Sequence, residues 1–148
     1  MFFDMATVKN ILDLRPAGTV FSVPPDATVY RAIEIMCEKN IGGLVIVEAE
    51  KLVGIFTERD YARKLILRGK SSKDTLIREL MTPNPITVRT DSSIEECMKI
   101  MIDKKIRHLP VVDADQLVGV ISIGDLVRQI IDEQKFIIEN LEHYITGH

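Results

Sequence analysis

Gly54-Ile55-Phe56-Thr57-Glu58-Arg59-Asp60 is matched 65 residues later by Gly119-Val120-Ile121-Ser122-Ile123-Gly124-Asp125. Each stretch runs from a glycine through two apolar residues to a hydroxyl, with an aspartate three positions on. Working outward at the same offset aligns Val23 with Val88 and Leu65 with Ile130 without a gap, and 14 of the 43 positions are identical. The pairs Ile35/Ile100, Met36/Met101, Leu44/Leu109, Leu52/Leu117, Val53/Val118 and Arg63/Arg128 are among them. A second, shorter match joins Thr7-Val8-Lys9-Asn10-Ile11-Leu12 to Thr75-Leu76-Ile77-Arg78-Glu79-Leu80 at an offset of 68, so the loop after the first copy is three residues longer. The chain is an internal repeat.

The repeat changes what the length means. The 148 residues amount to one compact domain by the usual span of roughly 100–200 residues per domain. Units of about 60–65 residues are marginal alone, so the two are expected to pack as one pseudo-symmetric body. Along the chain, residues 7–70 form the first unit with its preceding helix. Residues 75–131 form the second with its own, and residues 132–148 form a C-terminal helical extension.

Each unit has a readable order of elements. Thr19–Val23 and Ile86–Val88 are short β-prone segments. Asp26 and Asp91 follow as candidate helix caps. Val29, Ile33, Met36 and Cys37, and in the second copy Ile94, Met98 and Met101, have helical spacing. The runs Gly43–Val47, Leu52–Phe56, Leu109–Val112 and Leu117–Ile123 read as buried strands. Between them, Glu48–Lys51 and Asp113–Gln116 read as hairpin turns. A second helix is expected near Asp60 and Asp125. The fold class is α+β (α/β), with two β-α-β-β-α units. From Asp125 to Tyr144 there is neither proline nor glycine. Leu126, Ile130, Ile137 or Ile138, Leu141, and Tyr144 or Ile145 make an apolar face there, which suits either a helix packed on its own domain or a longer helix that supports a dimer, the latter being the expectation.

Composition narrows the function. A formal charge of −3 and a pI near 5.6 give no footprint for nucleic acid. No apolar run approaches the roughly 20 residues of a membrane span, and the start Met1-Phe2-Phe3-Asp4 lacks signal-peptide character. These features indicate a cytoplasmic protein. The two cysteines, Cys37 and Cys97, are too few for a disulfide framework, and both are expected to pack on the apolar sides of helices. The three histidines, His108, His143 and His148, form no visible triad or zinc pattern. No P-loop or dinucleotide fingerprint occurs, and no catalytic residue, metal site or catalytic cofactor is expected.

What remains is the hydroxyl and acid at each strand-to-helix junction. Structurally, Thr57 or Ser122 ends a strand and Asp60 or Asp125 caps a helix. Functionally, the same junction suits a nucleotide. Free N–H groups at a helix start attract phosphate, and a carboxylate accepts from both vicinal ribose hydroxyls.

Those junctions, together with Ile106-Arg107-His108-Leu109-Pro110-Val111-Val112-Asp113, resemble a tandem pair of CBS domains, the modules named after cystathionine β-synthase. The resemblance spans roughly residues 7–131. It implies two units packed through their sheets and two clefts for adenosyl ligands such as AMP, ADP, ATP, NAD(H) or S-adenosyl compounds. It also implies a regulatory or energy-sensing role without catalysis, a homodimer and a regulated protein partner. Carried over, one cleft takes Thr57, Arg59 and Asp60 with Ile106, Arg107, His108 and Pro110. The other takes Ser122, Gly124 and Asp125 with Ile41, Gly42, Gly43 and Val45. Ser22 and Val23, and Thr87 and Val88, would flank the adenines.

The clefts are chemically unequal on this reading. The first has cations for a compact phosphorylated nucleotide such as AMP. The second has glycines in their place. It is expected to bind more weakly or to hold something bulkier, with backbone N–H groups as its phosphate donors. The alternative from another class is a small NAD-dependent or metal-dependent enzyme, which would need an acid, base or ligand cluster in a cleft.

Overall fold

The computed structural model describes residues 6–16 and 20–146, with side chains described to residue 143. The first repeat comprises β1 (Ser22–Val23), α2 (Val29–Lys39), β2 (Gly43–Glu48), β3 (Lys51–Thr57) and α3 (Glu58–Asp60), which continues in wider π-helical turns over Tyr61–Ile66. A short helix α1 (Val8–Leu12) precedes it. The second repeat follows α4 (Ile77–Leu80) and β4 (Thr82–Pro83) with α5 (Ile94–Lys104), β5 (His108–Asp113), β6 (Gln116–Ser122) and the 24-residue α6 (Ile123–Thr146). Helix and sheet are mixed as the apolar spacing predicts. The two units repeat the same helix and hairpin order, but the short α3 and its π-helical turns correspond to the long α6, β4 pairs with β3, and the second repeat's first strand is reduced. There Val88 makes only a single parallel bridge to Val111, where the first repeat has β1. Of the segment expected to open the first repeat, Ser22–Val23 is strand and Thr19 lies outside the described residues.

Matched hairpins form the centre of each unit. β2 pairs antiparallel with β3, and β5 with β6. The turns place Ala49 and Glu50 at φ 50° and 65°, and Ala114 and Asp115 at φ 48° and 64°. Two successive left-handed residues are what a tight hairpin needs to match the twist of its strands. Each hairpin then shifts register at the same place, between Ile46 and Val47 and between Val111 and Val112. The two hairpins meet at β3 and β6.

The leading helices cross between the units. Val8 and Ile11 of α1 lie in the core built by Val88, Ile94, Cys97, Met101, Leu109, Val111, Ile121 and Leu126, all second-repeat residues. Ile77 and Leu80 of α4 lie in the core built by Val29, Ala32, Leu44, Ile46 and Phe56 of the first repeat. Backbone bonds fix the exchange. Val8 and Lys9 donate to the carbonyls of Ser92 and Thr90, and Ile77 donates to Ala27 at 2.8 Å. Each core thus takes its short helix from the segment leading the other repeat.

Two local expectations change. Asp26 and Asp91 do not cap α2 and α5. The caps are Thr28 and Ser93, whose hydroxyls accept from Arg31 N–H at 3.1 Å and Glu96 N–H at 3.0 Å. A capping oxygen must stand immediately before the first helical residue, and the aspartates stand two positions too early. Nor are both cysteines packed. Cys97 is buried, and burial pushes its thiol up to about 11, whereas Cys37 is exposed. The repeat explains the difference, because Cys97 aligns with fully buried Ala32 and Cys37 with exposed Ile102.

Along α6, Leu126 is buried and Ile130 packs against the second core. Farther on, Phe136, Ile138 and Leu141 are exposed. The helical backbone continues past Tyr144 and Ile145, whose side chains lie outside those described. Among the described residues, no helix is long and apolar enough to cross a membrane.

Candidate functional site

The two hydroxyl-acid junctions adopt one geometry. Thr57, extended at φ −126°, is the cap of α3. Its N–H donates to Asp60 Oδ2 at 3.0 Å, and Asp60 N–H donates back to Thr57 Oγ at 3.3 Å. Ser122 and Asp125 make the same reciprocal pair at 2.8 and 3.2 Å. The hydroxyl residue is therefore the cap in both cases, and the aspartate closes the box from the helix's third position. This corrects the assignment of the cap to Asp60 and Asp125.

The backbone donors expected to be free are largely used. Glu58 N–H donates to the Gly42 carbonyl at 3.1 Å and Ile123 N–H to the Arg107 carbonyl at 2.9 Å. Asp60 and Asp125 N–H are taken by the capping hydroxyls. Two of the first three N–H groups at each junction are thus already engaged.

At the first junction charged side chains are also present. A cavity of about 710 Å³ is lined by Thr57, Arg59 and Asp60 of one unit and by Ile106, Arg107 and His108 of the other. Arg63, Lys105 and Glu58 also line it, as do Asn84, Pro85 and Ile86 of the inter-repeat connection. Four cations face two carboxylates. Arg59 also spans the cleft, donating to the Lys105 carbonyl at 2.8 Å. Asp60 keeps Lys64 at 3.2 Å on its own helix, and Lys64 itself is anchored to the Leu80 carbonyl at 3.0 Å.

Sequence reasoning missed Arg63, Lys105 and Glu58. Arg63 was legible one helical turn after Arg59. Lys105 was not, because it enters through the left-handed end of α5, at φ 56°. Conversely, Pro110 is not at the cavity. It is buried in β5, and its carbonyl accepts from Val88 N–H at 3.0 Å. Ile86 lines the cavity in place of Thr87 and Val88; Thr87 lines a separate cavity and Val88 lies in the core.

The second junction is built differently from expectation. Gly42 lines the first cavity. The space beside Gly43 is filled by the His108 ring, which a Cβ at Gly43 would meet at 2.9 Å. Gly43 thus provides room for a side chain from the opposite unit, and not for a bulky ligand. Val45 is fully buried between Ser22 of β1 and Ile55 of β3, Val23 is core, and Ile41 packs on that core. Gly124 is exposed in the first turn of α6. Asp125 is engaged by Arg15, whose Nη2 lies 2.5 Å from Oδ2, and by Arg128 at 3.6 Å.

His108 sits between the junctions. Burial lowers its pKa, and the nearby Glu58 and Asp125 carboxylates oppose that effect. A lowered pKa means that the unfolded chain takes up the proton first. The stability tied to neutral His108 is therefore whole above about pH 6.5 and falls as pH drops toward the folded-state value. We expect urea unfolding of the wild type to lose stability as pH falls from about 6.5 to 5.5, by at most roughly 1.4 kcal/mol per pH unit from this group. His108→Gln should lose measurably less across the same range. Identical pH profiles for the two would contradict this role.

Among the described residues, no group of three or more His, Cys, Asp or Glu is placed to hold a metal ion.

The chain resembles known proteins along nearly its whole length. A family model for the CBS domain matches residues 8–67 and again 77–132. The mitochondrial CBS domain-containing protein CBSX3 of Arabidopsis thaliana is 37% identical over 98% of this chain and 74% of its own length. The solved structure of a putative signal-transduction protein with CBS domains from Burkholderia ambifaria superposes with a TM-score of 0.83 at 45% identity, covering 87% of this chain and 96% of that one. CBSX2 of Arabidopsis thaliana, solved in complex with AMP, superposes with a TM-score of 0.71 at 29% identity, covering 87% and 98%. Two matched repeats, their paired hairpins and these likenesses lead to one conclusion: the chain belongs to the CBS-domain family, as a tandem pair.

Proposed function

We propose that this protein is an adenosyl-nucleotide-binding regulatory module, with AMP as the favoured ligand of the Thr57/Asp60 cavity. The observation that carries the reading is that cavity. It joins a ribose-accepting carboxylate, Asp60, to Arg59, Arg63, Lys105 and Arg107 within about 710 Å³. Its walls come from both units. A bound nucleotide would therefore bridge them, with its diol on Asp60 and its phosphate among the guanidinium groups. The AMP complex of CBSX2 supports the choice of ligand. ADP, ATP, NAD(H) and S-adenosyl compounds share the adenosine and belong in the same test.

A ligand regulates only by binding two states unequally. The states proposed here are arrangements of a homodimer or of a complex with a regulated protein in the cytoplasm. The exposed Val127, Ile131, Ile138 and Leu141 of α6 support a second copy as the neighbour, since the spacing i, i+4, i+11, i+14 keeps them on one side of the helix.

The test is thermal unfolding with AMP, ADP, ATP, NAD, NADH and S-adenosylmethionine in turn. At a hundredfold excess over Kd, AMP should stabilise by about 2.7 kcal/mol, raising Tm by roughly 5–10 °C. No shift with any adenosyl compound would overturn the reading.

A further inference from the structure

The second junction has the same Ser122–Asp125 capping geometry as the first, yet its carboxylate is held by a cation from outside the repeat. Arg15 reaches it from the segment after α1. Arg15 Nη1 donates to the Val120 carbonyl at 2.5 Å, while Nη2 holds Asp125 Oδ2 at 2.5 Å. Both partners are half-buried or better, with side-chain exposures of 28% for Arg15 and 16% for Asp125. One planar guanidinium thus satisfies a backbone carbonyl and a carboxylate oxygen at once, the second bond being charge-assisted.

The corresponding part of the first unit shows what Arg15 replaces. There Thr82 and Pro83 pair with Ile55 and Gly54 as β4, leaving Asp60 in the cavity wall. Val120 is the repeat partner of Ile55, and its carbonyl receives the Arg15 side chain where, among the described residues, no further strand pairs with β6. The ion pair of Asp60 is of another kind. Lys64 comes from the same helix, four residues on, and does not line the cavity.

The approach of Arg15 is fixed at its start. Leu12 is seated on Gly119, where a Cβ would stand 2.7 Å from Leu12 Cδ2. The loop that follows α1 is also the one that is three residues longer than its counterpart.

We propose that Arg15 is a built-in occupant of the second cleft. Its guanidinium takes the carboxylate that a ribose diol would take, so the resting chain offers one adenosyl site and masks another. The masked site opens when the segment carrying Arg15 withdraws. Its apparent affinity is then the intrinsic affinity reduced by the fraction of chains in which Arg15 is displaced. This inference rests on the reading of the junctions as adenosyl sites.

The test counts AMP bound per chain by equilibrium dialysis at saturating nucleotide. The wild type should bind one AMP and Arg15→Ala two. Arg15→Ala/Asp60→Asn should return to one, and adding Asp125→Asn to that pair should remove it. Arg15→Gln, which keeps a polar unbranched stem but loses the guanidinium and its charge, should also bind two, and it carries the test if Arg15→Ala does not fold. Wild-type binding of one AMP with no gain in either Arg15 variant would overturn the masking while leaving the first cavity's function intact. Two AMP in the wild type would overturn the masking as well. No AMP in any variant would overturn the adenosyl reading and the masking together.

Discussion

Asp60→Asn is expected to weaken AMP binding about a hundredfold or more, while Asp125→Asn in the wild-type background leaves it nearly unchanged. The asparagine keeps an oxygen for the Thr57 N–H, which the carboxylate accepts at 3.0 Å, so the capping box survives. What it loses is a charged acceptor for two ribose hydroxyls. Hydrogen bonds to a charged group contribute about 1.5–3 kcal/mol each, and each 1.4 kcal/mol is roughly tenfold in affinity. Two weakened bonds therefore give about two orders of magnitude or more. Asp125 is already held by Arg15, so its charge does not contribute to binding at the first cavity. Isothermal titration of both variants decides the matter. Equal loss in the two would contradict the inequality of the clefts.

Ile77→Ala should cost about 2–5 kcal/mol, the usual range for a large-to-small change in a packed core. Ile77 is fully buried, although α4 is only four residues long and would look dispensable on a sequence map. It belongs to the first repeat's core with Phe56 and Leu44. Because α1 and α4 each tie one unit to the other's segment, urea should unfold the wild type and the variant in a single transition. The variant's midpoint should move to lower urea without a new step. A loss below about 1 kcal/mol with two separate transitions would show that the units stand independently of their exchanged helices.

Much of this was readable because the chain states its architecture twice. The 65-residue offset aligned every hairpin residue correctly, and the apolar spacing placed α2 and α5. Partners were harder to read than elements. An apolar stripe on Val8 and Ile11 says that a helix is buried, but not in which core. Gly42 and Gly43 read as space, and the ring that fills it, His108, comes from the other repeat across the pseudo-symmetry. The caps were missed by two positions because acid and hydroxyl both fit the preference, and only the backbone of Thr28 and Ser93 decides between them. Arg15 was invisible for a different reason. It stands in the loop that the repeat alignment leaves out, and nothing in its neighbours announces a contact more than a hundred residues away.

The exchanged helices also set an order of assembly. Everything in the first core, from Val23 to Leu80, is contiguous along the chain. That core can close while the rest is still being synthesised. The second core joins Val8 and Ile11 to a stretch that begins at Val88 and runs to Leu126. Its first-made helix must therefore wait, unpacked, for nearly the whole remaining sequence. Non-local closure of this kind is slow, and apolar surface left open meanwhile invites aggregation. The five residues of α1 keep that exposed surface small, and the earlier-finished half gives the late half a fixed body on which to complete itself.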